Sequence, residues 1–512
     1  MILVGELSLW VALLMATWAA IVSFAGGMQR RPELIASGER GIHAALAMLL
    51  LASLGLWTAL VTHDLTLEHV ASFSSANLPL VYTLAAFWGG PAGALLLFAL
   101  LLAVYAALVV FVDRQRNHQL LPHATGALAT VLTLVVATLC LAVNPYERLD
   151  WALLDGRGMN PLLQTAGMLL HPPSLYAGLA ATAVPFAFGI AALLARRLDG
   201  EWLAAVRRWV VFAWIFLTLG IVTGMWWAYG QPDWAGEWTR DAVDNAALFP
   251  WLANTVLLYS LVAGADRAAW RKSNVTLLLL AFPLALFSAF LARGGIVSTA
   301  HSFARSPVGG WLAGSLVLAV AAASYLLLMR LPGLHVVDKA RAAAPRAALR
   351  LGVAFVCAGI VVMLVALAGQ AWKKDYALTL TPAASGELRD PLGRTWRFTN
   401  QGVSQYNELN RSVLAAAVEV TRAGRSIGII TSERRQYADS RGNPTFEPST
   451  TAGILRALEQ DTYVTLVDVG EDERVRLRVG FHPVVVWVWI AASIMVIGGM
   501  LLLVETATRR DE

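Results

Sequence analysis

Apolar runs of membrane-spanning length recur along the chain, separated by short polar segments. They lie near 4–27, 43–62, 91–112, 126–143, 174–195, 209–227, 246–264, 275–292, 310–329, 351–372 and 483–504, each close to the roughly 20 apolar residues that a helix needs to cross a bilayer. This predicts eleven spans. The first run lacks a basic leader and is too long for a signal-peptide core, so it is read as a retained span. Between the last two runs the pattern changes. Residues 373–482 alternate polar and apolar positions in stretches such as "RTWRFTN", "LAAAVEVTR" and "TYVTLVDV", broken by Gly and Pro, which predicts strands and turns. The expected fold is an all-α polytopic membrane protein of about eleven transmembrane helices with one small β-rich extracytoplasmic domain. Its parts are a transmembrane region 1–372, the β-rich domain 373–482, and a final helix with its tail, 483–512.

Composition agrees with that picture. Of the 512 residues, 57% are hydrophobic and 14% charged, against about 25% charged in a soluble domain; mean hydropathy is +0.61. A soluble or disordered chain is excluded. The net charge of +5 reflects topology rather than a nucleic-acid partner. Nineteen Lys and Arg residues fall in the loops 28–42, 113–125, 196–208, 265–274 and 330–350 and in the tail 505–512, whereas the intervening loops hold only Arg148, Arg157, Arg240, Arg293 and Arg305. The positive-inside rule then puts the N-terminus outside and the C-terminus in the cytoplasm of a bacterial inner membrane. Cys140 and Cys357 are the only cysteines, both within apolar runs and neither in a CxxC pair. The chain therefore carries no disulfide framework, no zinc knuckle and no thioether haem site of its own.

Candidate chemistry concentrates in three outer loops. In the first, His171 precedes Pro172 and Pro173. A proline disfavours helical geometry in the residue before it, so His171 is expected to stay extended at the membrane surface, with the helix starting at Ser174. The second loop crowds Trp226, Trp227, Tyr229, Trp234, Trp238 and Trp251 into one short window, more than an interfacial belt needs. The third carries His301. Two neutral imidazoles on one face, flanking a flat aromatic platform, are what edge-on binding of haem requires. His63, His69 and His482 are expected to be solvated on the outer side, and His118, His123 and His335 on the inner side.

Several stretches also occur in a known family. "ANLPLVYTLAAFWGGPAGALLL" (76–97), "NPYERL", "DGRGMNPLLQ" and "LLHPP" (144–173), "FLTLGIVTGMWWAYG" (216–230), "DAVDNAALFPWL" (241–252) and "FLARGGIVSTAHSFA" (290–304) stand in the same order in the haem-handling proteins of cytochrome c maturation. The resemblance is greatest to the CcmF-type haem lyase subunit, and the outer domain with "QYNELN" and the final span resembles that family's C-terminal part. The resemblance implies that His171 and His301 ligate haem iron, and that Trp226, Trp227, Trp234, Trp238, Asp241, Asn245 and Trp251 form the haem-facing WWD signature. It further implies that haem arrives from a haem chaperone and is positioned for thioether attachment to CxxCH apocytochrome c, with thiol-reducing and presenting subunits as partners. No residue of the chain is assigned as a catalytic nucleophile.

The chain departs from that family at Glu237, Thr239, Arg240, Ala242 and Asp244 within the signature. The family's second, intramembrane haem is held by two histidines, whose places are taken here by Tyr259 and Arg350; such a pair is not a b-haem site, so that haem is not expected. Relative to that family, several spans are lacking between 309 and 350. These differences open an alternative: a paralogue without lyase activity, serving as a haem-binding or structural subunit of a larger membrane complex. A transporter is weaker, because no span shows paired acids or a broken-helix pattern. Glu147, Arg148, Asp155 and Arg157 are candidates for haem-propionate contacts, and Gln405, Arg434 and Arg435 for apocytochrome contacts.

Overall fold

The structure, a computed structural model, describes residues 1–114, 119–151, 153–198, 200–232, 245–263, 268–294, 308–332, 335–336 and 347–508. Among the described residues, eleven helices form the membrane region: α1 (Ile2–Gln29), α2 (Pro32–Val61), α3 (Pro91–Asp113), α4 (Leu121–Leu141), α5 (Ala166–Ala195), α6 (Gly200–Tyr229), α7 (Leu248–Ala263), α8 (Ala268–Arg293), α9 (Val308–Arg330), α10 (Ala347–Gly369) and α11 (Val486–Thr508). Among the described residues, ten are long and apolar enough by length and composition to cross a bilayer. The remaining one, α7, is a shorter apolar helix, described over 16 residues, and the architecture agrees with the expected fold of about eleven transmembrane helices.

One expectation is corrected at α5. It begins at Ala166, eight residues before the expected start, with His171, Pro172 and Pro173 inside the helix. Pro172 lacks the N–H that would bond the carbonyl of Met168. That carbonyl is instead satisfied by Trp88, whose Nε1 donates to it at 2.9 Å. A donor from a distant segment thus lets the helix run through a sequence that looks locally like a break.

Helices α5 and α6 pack in close contact along a seam of alternating large and small residues. A Cβ added to Gly178 would lie 2.5 Å from the Leu217 amide nitrogen, one at Gly220 would lie 2.6 Å from Leu175 Cα, and one at Gly167 would lie 2.4 Å from Trp227. Gly220 and Gly224 form a GxxxG pair, the pattern that lets membrane helices approach backbone to backbone. The loop after α4 is pinned in a similar way. Tyr146 of "NPYERL" is buried, its hydroxyl donating to the Ala52 carbonyl and filling a notch above Gly5 and Gly55.

Residues 374–483 form an antiparallel β-sandwich. The strands are β1 (Lys374–Leu380), β2 (Ser385–Arg389), β3 (Thr395–Glu408), β4 (Arg411–Arg422), β5 (Arg425–Tyr437), β6 (Ser449–Thr451), β7 (Gly453–Leu455), β8 (Gln460–Val469) and β9 (Val475–Pro483). One sheet has the order β2-β3-β4-β5-β6 and the other β1-β9-β8-β7. Alternate residues face inward, as the sequence pattern predicts, and Trp396, Phe398, Val464, Val479 and Phe481 fill the core.

The sandwich sits on one face of the helical region. Asp155 accepts from the amides of Ala76, Gly156 and Ser440 and from the Ser440 hydroxyl. Asn410 donates to Gln164, and Asn77 to the Ala438 carbonyl. Burial of Asp155 acts to raise its pKa, but the bonds from Ser440, Ala76 and Gly156 outweigh it and hold the carboxyl below its ordinary value. That residue therefore ties the sandwich to the loop rather than standing open to a ligand, while Glu147 and Arg148 are exposed.

Candidate functional site

His171 faces α6. Its Nδ1 lies 2.8 Å from the Gly220 carbonyl oxygen; a carbonyl only accepts, so Nδ1 carries the proton and a neutral ring has its lone pair on Nε2. A bond of this kind fixes tautomer and ring orientation in metal-ligating histidines generally. The ring fits because Gly224 has no side chain: a Cβ there would lie 2.7 Å from Cε1 and 2.8 Å from Nδ1. The extended, surface-lying His171 expected from the two prolines is corrected accordingly. The residue is half-buried, helical, and held between two glycines of the neighbouring helix.

The described part of the Trp-rich signature divides by role. Trp227 is buried against Gly167 and donates from Nε1 to the Leu162 carbonyl at 2.9 Å. Trp226, one residue earlier on α6, is half-buried. Trp251, on α7, donates to Thr218 Oγ1 at 2.8 Å and stacks on Trp214, with centroids 6.1 Å apart. Asn245 is half-buried, three residues before α7 begins. His171 and Trp251 thus both contact α6, between Trp214 and Gly224, and Trp227 lies further along the same helix. His301, Trp234, Trp238 and Asp241 lie outside the described residues.

Where α6 ends, it meets the sandwich. Tyr229 donates to Asp461 Oδ2 at 3.0 Å, and both side chains are buried. Desolvation raises the Asp461 pKa, opposed by the Tyr229 hydrogen bond, the Ala457 amide, and the charges of Arg456 and His482. His482 is only 2% exposed, stacked on Tyr463 with centroids 5.1 Å apart and 3.9 Å from Asp375 Oδ1. The solvated reading of His482 is therefore corrected. His69 is likewise buried, with Nε2 donating to the Ala86 carbonyl, and burial pushes its pKa down to about 4. His123 is buried against Phe24 and Gly27. His63 is half-buried near Ser74, and the His118 and His335 side chains lie outside the described residues. Gln405 is exposed; Arg434 pairs with Asp468 and Arg435 with Glu433. Tyr259 and Arg350 both lie on the helical surface, Tyr259 at 63% exposure.

Three pairings beside His171 were not singled out in the sequence: Gly220–Gly224, Tyr229–Asp461, and Arg293–Tyr176, in which Arg293 Nη2 donates to the Tyr176 hydroxyl oxygen at 2.9 Å. Only the first left a local signal, its four-residue spacing.

Comparison with known proteins adds two domain matches. Residues 88–296 match the model of the cytochrome c assembly protein family, and residues 372–483 that of the CcmF C-terminal β-sandwich. The chain is 35% identical over 308 residues to the cytochrome c-type biogenesis protein CcmF of Haemophilus influenzae, covering 60% of this chain and 47% of that protein. To CcmF of Escherichia coli it is 38% identical over 277 residues, covering 54% and 43%. To the biogenesis protein NrfE of Haemophilus influenzae it is 33% identical over 310 residues, covering 60% and 48%. The chain spans about half the length of these curated relatives. A solved structure of cytochrome c haem lyase CcmF superposes with a TM-score of 0.76 at 22% identity, covering 98% of both chains, which establishes a shared fold.

Proposed function

Because this chain belongs to the CcmF-type cytochrome c assembly proteins, we propose that it holds haem at the β-sandwich face and presents it for thioether attachment to CxxCH apocytochrome c. The observation that carries this reading is the His171–Gly220 hydrogen bond, which sets the lone pair on Nε2 at the seam that ends in Trp226 and Trp227. His301 is the proposed second ligand, and Trp226, Trp227, Trp234, Trp238, Asp241, Asn245 and Trp251 the proposed surroundings of the macrocycle. The charge distribution of the loops supports the sandwich face as extracytoplasmic, with the N-terminus on that side and the C-terminus in the cytoplasm.

Haem is the substrate here. Each attachment adds a cysteine S–H across a vinyl double bond: a C–S bond forms at the inner vinyl carbon, the thiol hydrogen passes to the terminal carbon, and no oxidant is consumed. The protein's part is to fix the rotation and depth of the macrocycle so that both vinyl groups meet the two thiols, a contribution of positioning. Haem chaperone, apocytochrome and thiol-presenting subunits are the proposed partners. We further propose that no intramembrane b haem is held, since Tyr259 and Arg350 are exposed on the helical surface.

The test is the optical spectrum of the purified full chain before and after reduction, repeated for His171→Ala and His301→Ala, with cytochrome c maturation scored in the same cells. The expected result is one haem per chain and loss of both haem and maturation in either variant. Maturation at the wild-type level in the double variant would instead favour a structural subunit without lyase activity.

A further inference from the structure

A slot lies within the helical region, walled by α3, α4, α5 from Tyr176 to Leu194, α8 and α9, with a volume of about 310 Å³. From Val308 to Leu326 it follows 18 residues of α9, about 27 Å at 1.5 Å per residue, more than the depth of one leaflet. Its walls are predominantly Leu, Val, Phe, Ala and Ile side chains. The Thr130 and Thr138 hydroxyls on the wall donate to the Gly126 and Leu134 carbonyls of their own helix, and Ser315 adds one further hydroxyl. Charge is confined to the end nearest the β-sandwich, where Arg293 meets Tyr176. Arg293 is the one charged side chain among the described lining residues, and these include no carboxylate, histidine, cysteine or methionine.

A long apolar slot with one cation at its mouth is complementary to an amphiphile with a hydrocarbon tail and an anionic head. The lining supplies no imidazole, thiolate or thioether for a metal, so a macrocycle finds no soft or nitrogen ligand there. We propose that the slot holds one acyl chain of an anionic phospholipid, with the phosphate at the Arg293 guanidinium.

The position gives the lipid a structural role that goes beyond the proposed haem chemistry. Tyr176 lies five residues after His171 on α5, and Arg293 ends α8, eight residues before His301. A headgroup at this pair bridges α5, which carries His171, and the end of α8.

The test reads lipid and not haem, so its outcome is independent of the lyase reading. The full chain is placed in nanodiscs of equal parts phosphatidylglycerol and phosphatidylcholine, re-extracted in mild detergent, and its bound lipid quantified by mass spectrometry. The expected result is one retained phospholipid per chain, with phosphatidylglycerol favoured about fivefold, the preference one cation near the membrane surface confers. Arg293→Gln should abolish the preference, Arg293→Lys should keep it, and Ala319→Trp, which plugs the slot, should abolish retention. Equal retention of the two lipids by the wild-type chain, a comparison that needs no variant to fold, would overturn the proposal. So would an unchanged preference in Arg293→Gln.

Discussion

Gly224→Ala tests the seam without replacing a proposed ligand. The added methyl carbon would lie 2.7 Å from His171 Cε1 and 2.8 Å from Nδ1, where carbon contacts settle at about 3.5–4.0 Å. The ring must therefore retreat by about 1 Å, against a hydrogen bond of 2.8 Å to Gly220. Overpacking of this kind costs about 1–3 kcal/mol of stability, while a 1 Å misplacement of a positioned group costs roughly 100-fold in rate. The assay is haem staining of cytochrome c in cells whose sole copy carries the variant, alongside the spectrum of the purified protein and its abundance in the membrane. Gly314→Ala on α9 is the control, because nothing lies within 4 Å of that site. The expected outcome is a near-normal amount of Gly224→Ala protein with perturbed haem binding and strongly reduced maturation, and no effect of Gly314→Ala. Wild-type maturation and haem content in Gly224→Ala would refute the idea that this seam sets the imidazole.

Other perturbations probe the joints. Tyr229→Phe removes a donor from buried Asp461 and should cost about 1–3 kcal/mol, read as a lower melting temperature. Burial raises the Asp461 pKa above its unfolded value, so its contribution is most favourable below about pH 4 and is lost as pH rises through the folded pKa; taking away the Tyr229 bond raises that pKa further. The variant's deficit should therefore be larger at pH 7 than at pH 5 and insensitive to pH on an Asp461→Asn background. Asp155→Asn should loosen the sandwich from loop 144–165, seen as faster proteolysis of that loop. Because the Asp155 pKa is depressed, the wild-type advantage should be full above about pH 4 and fade as pH falls through the folded value. Arg208→Leu leaves fully buried Asp113 without the guanidinium now 2.8 Å away, and should cost about 3–5 kcal/mol, with Asp113→Asn restoring part of it.

The spans were legible because a bilayer demands a run of apolar residues that few other constraints produce, and the sandwich was legible through strict alternation. The start of α5 was not. Its two prolines read as a break, and the donor that rescues the helix, Trp88, stands 80 residues from Met168. The same cause hid the burial of His69, His123 and His482, whose surroundings come from distant segments. At the site, residue types pointed to His171 and the tryptophans, yet the glycines that make room for the imidazole carry no chemistry of their own and showed only as a spacing. Tyr229 and Asp461, 232 residues apart, left no local trace. Trp227 shows the limit of reading a signature by composition, since its N–H and one face are already engaged by Leu162 and Gly167.

The central claim is that His171 ligates iron through Nε2. Electron paramagnetic resonance of the oxidised, haem-loaded full chain measures this most directly: a low-spin, bis-imidazole signal in the wild type that turns high-spin or disappears in His171→Ala is the predicted result. An unchanged low-spin signal in His171→Ala, or a high-spin signal in the wild type, would contradict it.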